Sequence, residues 1–336
     1  EEKHFVQVDL RVSTNDILEP LVEIFYQNPK AIFGAWVSLF PVAYKTVRRN
    51  EKFGFVRSLV SLLSKDYHVR QKRSPMNVIS AILEGITKVE SLDLPPHLVK
   101  YLATTHNAWY ESLNILETLQ QSNTVDITKI NDANEDALLE MYISLEETDM
   151  FYGLWRRRAK YTETNMALSY EQIGLWDRAQ NMYEAAQVKA RSGALPYSES
   201  EYALWEDDWV LCAQQLQQWD ILTELAKHEG FTDLLVECGW RVANWTTERS
   251  ALEQSVKSIM DVPTPRRQMF DAFLALQKFA ETKKGEQDVR KLCDEGIQLS
   301  LSKWASLPAR FTSAHGGLLH MFQIYTEFME AVVVYN

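Results

Sequence analysis

Three short stretches decide the fold: Gly174-Leu175-Trp176-Asp177-Arg178-Ala179, Gln218-Trp219-Asp220-Ile221-Leu222 and Asn244-Trp245-Thr246-Thr247-Glu248. In each, a Trp stands near a turn, with a helical pattern before it and a small amphipathic helix after it. A helix–turn–helix unit that returns along one chain is the pattern of stacked helical pairs. Such stacks build long surfaces rather than reaction pockets. The expected fold is therefore all-α, an α-solenoid of antiparallel helix pairs.

Residues 163–186 fit the frame of a tetratricopeptide repeat. Tyr170, Gly174, Ala179, Tyr183 and Ala186 occupy slots for an aromatic, a turn residue, a small residue, an aromatic and a small residue. Small residues let two helices cross closely, and aromatics fill the groove against the next pair. Tyr170, Ala179 and Tyr183 are thus expected at one helix crossing, with Trp176 at its turn. The fit is partial. Glu163 stands where the frame prefers Trp, and Met166-Ala167 replaces Leu-Gly. The spacing of the Trp turns is irregular too, so the solenoid is expected to be a degenerate mixture of tetratricopeptide-like and HEAT-like pairs.

Outward from this stretch, caps and periodicity predict helices along the whole chain. Asn15-Asp16, Asn28-Pro29, Asn50-Glu51 and Ser74-Pro75 read as starts of the first four. Val78, Ile79, Ile82 and Ile86 share one face of the fourth. Leu94-Pro95-Pro96 breaks the chain before another pair that runs to about Gln121. Further helices are expected at about 135–147, 149–158, 160–173, 177–191, 198–216, 219–228, 231–242, 246–259, 264–283, 286–303 and 313–334. Period-two alternation is absent, so no sheet is expected. Residues 122–136 are the most loop-like, which suggests a helical-repeat segment over 1–125 and a tetratricopeptide-like solenoid over 126–336.

Composition narrows the class. With 46% hydrophobic and 24% charged residues over 336 positions, the chain is that of a folded protein with a large core. A formal net charge of −11 argues against direct nucleic-acid binding, which needs a basic footprint. The uncharged run Ala31 to Tyr44 is too short for a membrane helix and holds Pro41, so it reads as a buried helix and no membrane partner is expected. Cys212, Cys238 and Cys293 form no Cys-x-x-Cys pair, which fits a reducing compartment. Asn244-Trp245-Thr246 reads as a chance sequon. The chain starts at Glu1 without a targeting segment, as a piece of something longer would.

Motifs that carry chemistry are missing. There is no phosphate loop, no His-Glu-x-x-His, no Gly-x-Ser-x-Gly and no kinase catalytic loop. His315 and His320 have the wrong spacing for a shared metal on one helix face. The acidic group Glu199, Glu201, Glu206, Asp207 and Asp208 reads as a solvated helix face, favoured near a helix N-terminus. The Trp residues read mainly as core. No cofactor, metal or catalytic residue is expected. Two basic clusters remain as candidate interaction or bracing surfaces: Arg70, Lys72, Arg73, and Arg156, Arg157, Arg158, Lys160. Because consecutive residues of a helix face different ways, at least one of the three Arg is expected to meet an acidic group within the protein.

Several longer strings resemble a known family. Asp149-Met150-Phe151-Tyr152-Gly153-Leu154-Trp155-Arg156-Arg157-Arg158 is similar to a segment of the FAT region of TRRAP-type proteins. So are Tyr202 to Trp209, Leu216 to Glu224, Glu237 to Trp245 and Asp261 to Gln268, in the same order and closest to the fungal branch. The similarity is clear over about residues 149–336 and weaker over 1–148. TRRAP-type proteins are very large members of the phosphatidylinositol-3-kinase-related family. The resemblance implies a helical solenoid that wraps a C-terminal pseudokinase domain of the same chain. It further implies a non-enzymatic nuclear scaffold subunit of SAGA-type and NuA-type histone acetyltransferase assemblies. The implied partners are the other subunits, the pseudokinase domain and acidic transcription activators. The alternative is the helical regulatory shell of an active kinase of the same superfamily.

Overall fold

The computed structural model describes residues 13–65, 68, 77–89, 92–121, 128–194, 198–241, 250, 253–254, 257 and 263–335. Among these residues every regular element is a helix, and packed helices joined by short turns run antiparallel, as in a helical-repeat solenoid. Two compact units are formed. One comprises residues 1–141 with Ala305–Phe311, the other Tyr142–Trp304 with 312–336. The expected boundary at 125/126 and the expected helix at 246–259 fall on or mostly on positions outside the described residues, as do Ser74-Pro75, Trp245, and Arg70, Lys72 and Arg73.

The first unit begins with α1 (Thr14–Gln27), α2 (Pro29–Thr46) and α3 (Lys52–Leu63). Ser13, not Asn15, caps α1: its hydroxyl accepts from Asn15 N, while Asp16 Oδ2 accepts from Ser13 N at 2.9 Å. Such reciprocal bonds satisfy two otherwise orphaned donors. Asn28 caps α2, with Pro29 in its first turn as expected. The run 31–44 is indeed helical and continues through Pro41. It is not fully buried: Phe40 and Tyr44 are covered, whereas Ile32, Leu39 and Val42 face outward. One stripe packs on its neighbours, and an apolar composition alone does not distinguish one covered face from two.

Asn77 starts α4 (Val78–Thr87), accepting from Ile79 N and donating to the His106 carbonyl. Ile79, Ile82, Leu83 and Ile86 form its buried face, while Val78 is exposed. Then follow α5 (Pro96–His106) and α6 (Trp109–Gln121). Trp109 Nε1 donates to the Ser306 carbonyl at 2.9 Å, tying the returning segment 305–311 into this unit. Asn134, on α7 (Thr128–Leu145), donates to the Leu116 carbonyl at 2.9 Å.

The second unit contains α8 (Thr148–Arg158), α9 (Thr162–Gln172), α10 (Trp176–Arg191), α11 (Glu199–Gln215), α12 (Trp219–Glu229) and α13 (Thr232–Arg241). It closes with α14 (Pro265–Thr282), α15 (Glu286–Trp304) and α16 (Ala314–Tyr335). The Trp turns have a common construction. Gly174 takes φ +76°, and Leu175 N donates to the Tyr170 carbonyl at 2.9 Å. Gln217 takes φ +57°, and Gln218 N donates to the Ala213 carbonyl at 3.0 Å. This left-handed closure satisfies carbonyls at the end of one helix. The Trp that follows opens the next helix and packs back: Trp176 against the α9–α11 core, Trp219 against Ala213, Leu222 and Cys238.

Ala167, Ala179, Tyr183 and Ala186 are fully buried in one cluster with Trp205 and Cys212, and Tyr170 and Trp176 pack against it. The expected crossing is therefore present. A Leu at position 179 should destabilise the chain by about 1–3 kcal/mol through overpacking, read from its urea midpoint. The α14–α16 cluster has an equally tight spot. A Cβ at Gly296 would run into the ring of Tyr325, which is fully buried and donates to the Pro265 carbonyl at 2.6 Å. Gly296→Ala should therefore lower the melting temperature. The gain in helix propensity, about 1 kcal/mol, is smaller than the clash it introduces.

Candidate functional site

The Arg triplet ends α8, where cations meet the negative end of the helix dipole. Arg156 is exposed, and its Nη2 donates to Gln172 Oε1 at 2.8 Å and Ser169 Oγ at 3.4 Å, both on α9. Both of these acceptors are neutral oxygens. Gln172 donates in turn to Asp149 Oδ1, so a polar ladder runs between α8 and α9. Arg157 is exposed. Arg158 is half-buried, with its guanidinium 5.2 Å from the Trp155 ring centroid and Nη2 3.5 Å from Ser200 Oγ. Lys160 has an exposed side chain, and its backbone N–H faces Glu201. The four residues thus present an edge that is basic outward and fastened inward.

Behind this edge lies a buried polar core that the sequence reading did not identify. Glu201 is 1% exposed rather than solvated. Its carboxylate accepts from the Thr164 hydroxyl at 2.6 Å and from the backbone N–H groups of Tyr161 and Lys160, each at 3.4 Å. The N-terminus of α9 has no capping side chain of its own, and Glu201 serves it from α11. Trp205 Nε1 donates to Thr164 Oγ1 at 2.8 Å, completing this half of the core.

The other half centres on Tyr183. Its hydroxyl is 2.7 Å from Glu171 Oε2 and 3.1 Å from Asp208 Oδ2, and Glu171 Oε1 accepts from the Tyr152 hydroxyl at 2.9 Å. Burial, and then the negative charge of Glu171, hold the Asp208 carboxyl well above the usual carboxylate range. Burial also raises Glu171, against the pull of the hydroxyls of Tyr183 and Tyr152. The Cys212 thiol, pushed up to about 12 by burial and by Glu171 and Asp208, stays protonated. Glu199, Glu206 and Asp207 do face solvent, so the acidic cluster divides in two. The signal lay in register: positions 201, 204, 205, 208 and 212 form one stripe, and that stripe is the buried one.

His315 is buried against Trp304, with ring centroids 4.5 Å apart, and its Nδ1 accepts from Thr312 N at 3.0 Å at the start of α16. Among the described residues, no three His, Cys, Asp or Glu side chains group as a metal site would require. No described helix is long and apolar enough to cross a membrane.

A helical-repeat segment, with polar groups spent on joining neighbouring helices, is the class of protein that this geometry defines. Comparison with known proteins makes it specific. Residues 1–89 match the family described as the Tra1 HEAT repeat ring region, and residues 232–336 match the FAT domain. The chain is 70% identical over 325 residues to SAGA complex/NuA4 acetyltransferase complex subunit TRA1 of Saccharomyces cerevisiae, covering 97% of the chain. It is 45% identical over 342 residues to the subunit Tra1 of the same complexes in Schizosaccharomyces pombe, covering 99% of the chain. It is 30% identical over 354 residues to the human transformation/transcription domain-associated protein, covering 98% of the chain. The chain spans 9% of the length of each of these relatives. It belongs to the TRRAP-type family and carries a FAT region of that type.

Removing the Glu201 acceptor leaves the Thr164 hydroxyl and two backbone N–H groups without their partner. Glu201→Ala should cost about 1–3 kcal/mol in chemical denaturation. The exposed neighbours Glu199→Ala and Glu206→Ala should stay within about 0.5 kcal/mol of the parent.

Proposed function

We propose that this chain is a non-catalytic scaffold segment of a transcription coactivator subunit, working in the nucleus within SAGA- and NuA4-type acetyltransferase complexes. The observation that carries this reading is the 70% identity, over 97% of the chain, to a protein whose name states that it is a subunit of both complexes. The fold supports it. Side chains that look chemical in isolation (Glu171, Tyr183, Glu201, Asp208) are engaged in joining α8, α9, α10 and α11. A segment built this way transmits shape along its stack.

The partners in this reading are the other subunits of the assembly, acidic activators and a C-terminal pseudokinase domain around which the FAT region wraps. Residues 1–125 are the helical-repeat approach and 126–336 the FAT-type solenoid. Arg156, Arg157, Arg158 and Lys160 are its bracing edge. Arg156 and Arg158 are already fixed to α9, Trp155 and Ser200, which pre-orders the edge and lowers the entropy cost of docking. Arg70, Lys72 and Arg73 are a second candidate edge, outside the described residues.

The test is charge reversal of Arg156, Arg157 and Arg158 to Glu in the full-length subunit. Bracing predicts a lower steady-state level of the subunit and weaker co-purification with its complexes. If level and assembly are unchanged while pull-down by acidic activators is lost, the edge recruits activators and does not brace. Saturable ATP binding with phosphoryl transfer by the purified full-length subunit would overturn the non-catalytic reading.

A further inference from the structure

We infer that the folded chain holds an extra proton between Glu171 and Asp208, carried by Asp208 and hydrogen-bonded to the Tyr183 hydroxyl, so that the stability of the α8–α11 packing depends on pH. The argument starts from counting hydrogens. The Tyr183 hydroxyl has one hydrogen and stands within hydrogen-bond distance of two carboxyl oxygens, Glu171 Oε2 at 2.7 Å and Asp208 Oδ2 at 3.1 Å. It donates to only one of them. The other contact is a hydrogen bond only if that carboxyl brings its own hydrogen and donates to the Tyr oxygen. With both carboxyls ionised, a lone pair would face a lone pair in a buried site.

The distances and donors decide which carboxyl carries the proton. Glu171 has the shorter contact to Tyr183 and a second hydroxyl donor, Tyr152, on its other oxygen at 2.9 Å. Two donors favour an ionised acceptor. Asp208, 8% exposed, has only the longer contact to the Tyr183 hydroxyl. The chain of donors therefore runs from the Asp208 carboxyl to Tyr183, from Tyr183 to Glu171, and from Tyr152 to Glu171 on its far side.

The charged and titratable groups facing this chain come from four helices. They are Tyr152 on α8, Glu171 on α9, Tyr183 on α10, and Asp207 and Cys212 on α11 beside Asp208. None of them is a cation, and no ion pair of the described residues involves Glu171 or Asp208. Two carboxylates sharing a site without a cation do not both ionise, and one proton is the least costly remedy.

The consequence has a definite sign. An Asp in the unfolded chain loses its proton near pH 3.9. In the fold Asp208 keeps it to higher pH, because burial and Glu171 oppose its ionisation. The stabilisation is complete below the unfolded value and is lost as pH rises toward the folded one. Through that interval folding takes up one proton, so each pH unit lowers the folding equilibrium constant about tenfold.

Two measurements on the whole 336-residue chain test this. Infrared spectra of the folded chain at neutral pH should show a protonated carboxyl stretch that moves on 13C labelling of Asp but not of Glu. No such band overturns the proposal, and a band that moves only with Glu labelling overturns the assignment to Asp208. Asp208→Asn keeps a neutral donor in place. It should lie near the parent's unfolding midpoint at about pH 4, exceed it at neutral pH, and flatten the pH dependence by one proton, tenfold per unit. Glu171→Gln should instead lower the midpoint. Unchanged pH slope in Asp208→Asn overturns the proposal. If that variant does not fold, the labelled infrared band of the parent chain still decides.

Discussion

The Tyr183 hydroxyl is the contact on which the stretch α8 to α11 depends. It stands between carboxyls from α9 and α11, while Tyr152 of α8 holds the other side of Glu171. Apolar contacts in a helical stack tolerate sliding, because one methyl replaces another at little cost. A buried hydrogen bond does not, because a slip leaves a donor or acceptor unsatisfied. The alanines at 167, 179 and 186 bring the helices close, and the polar core sets where along their length they stop.

The same logic extends along the second unit. Glu201 caps α9 from two helices away in sequence, and Gln180 donates to Gln218 at 2.8 Å, joining α10 to the turn before α12. Exposed ion pairs such as Lys189–Glu163 at 2.6 Å, half in solvent, add little by comparison. The left-handed closures at Gly174 and Gln217 hand each helix to the next, and the Trp behind each closure covers the joint. A stack joined this way is stiff between neighbours, and its basic edge rests on α9 rather than on a loop.

The helices were legible because local rules govern them. The Pro at 29, the caps, the period of apolar residues and the Trp turns all act over a few residues, so most spans were anticipated closely. Where the reading missed, competition among nearby candidates was the reason. Ser13 outcompetes Asn15 as a cap because Asp16 is placed to return the bond, and Asn77 starts α4 because its side chain also reaches the His106 carbonyl. The family was legible in long ordered strings such as Tyr202 to Trp209, which the identity to the fungal subunits bears out.

The amino-acid sequence by itself determined the all-α class, the helix pairs and the Ala179–Tyr183 crossing, since period and side-chain size suffice for these. It did not determine which carboxylates are buried. Glu201 and Asp208 stand among Glu199, Glu206 and Asp207, and charge alone assigns all five to solvent. Only the packing of α9 and α10 against α11 turns one stripe inward and supplies Thr164, Tyr183 and two backbone N–H groups to meet it. The partners come from up to 41 residues away, and a carboxylate is buried only when such partners reach it.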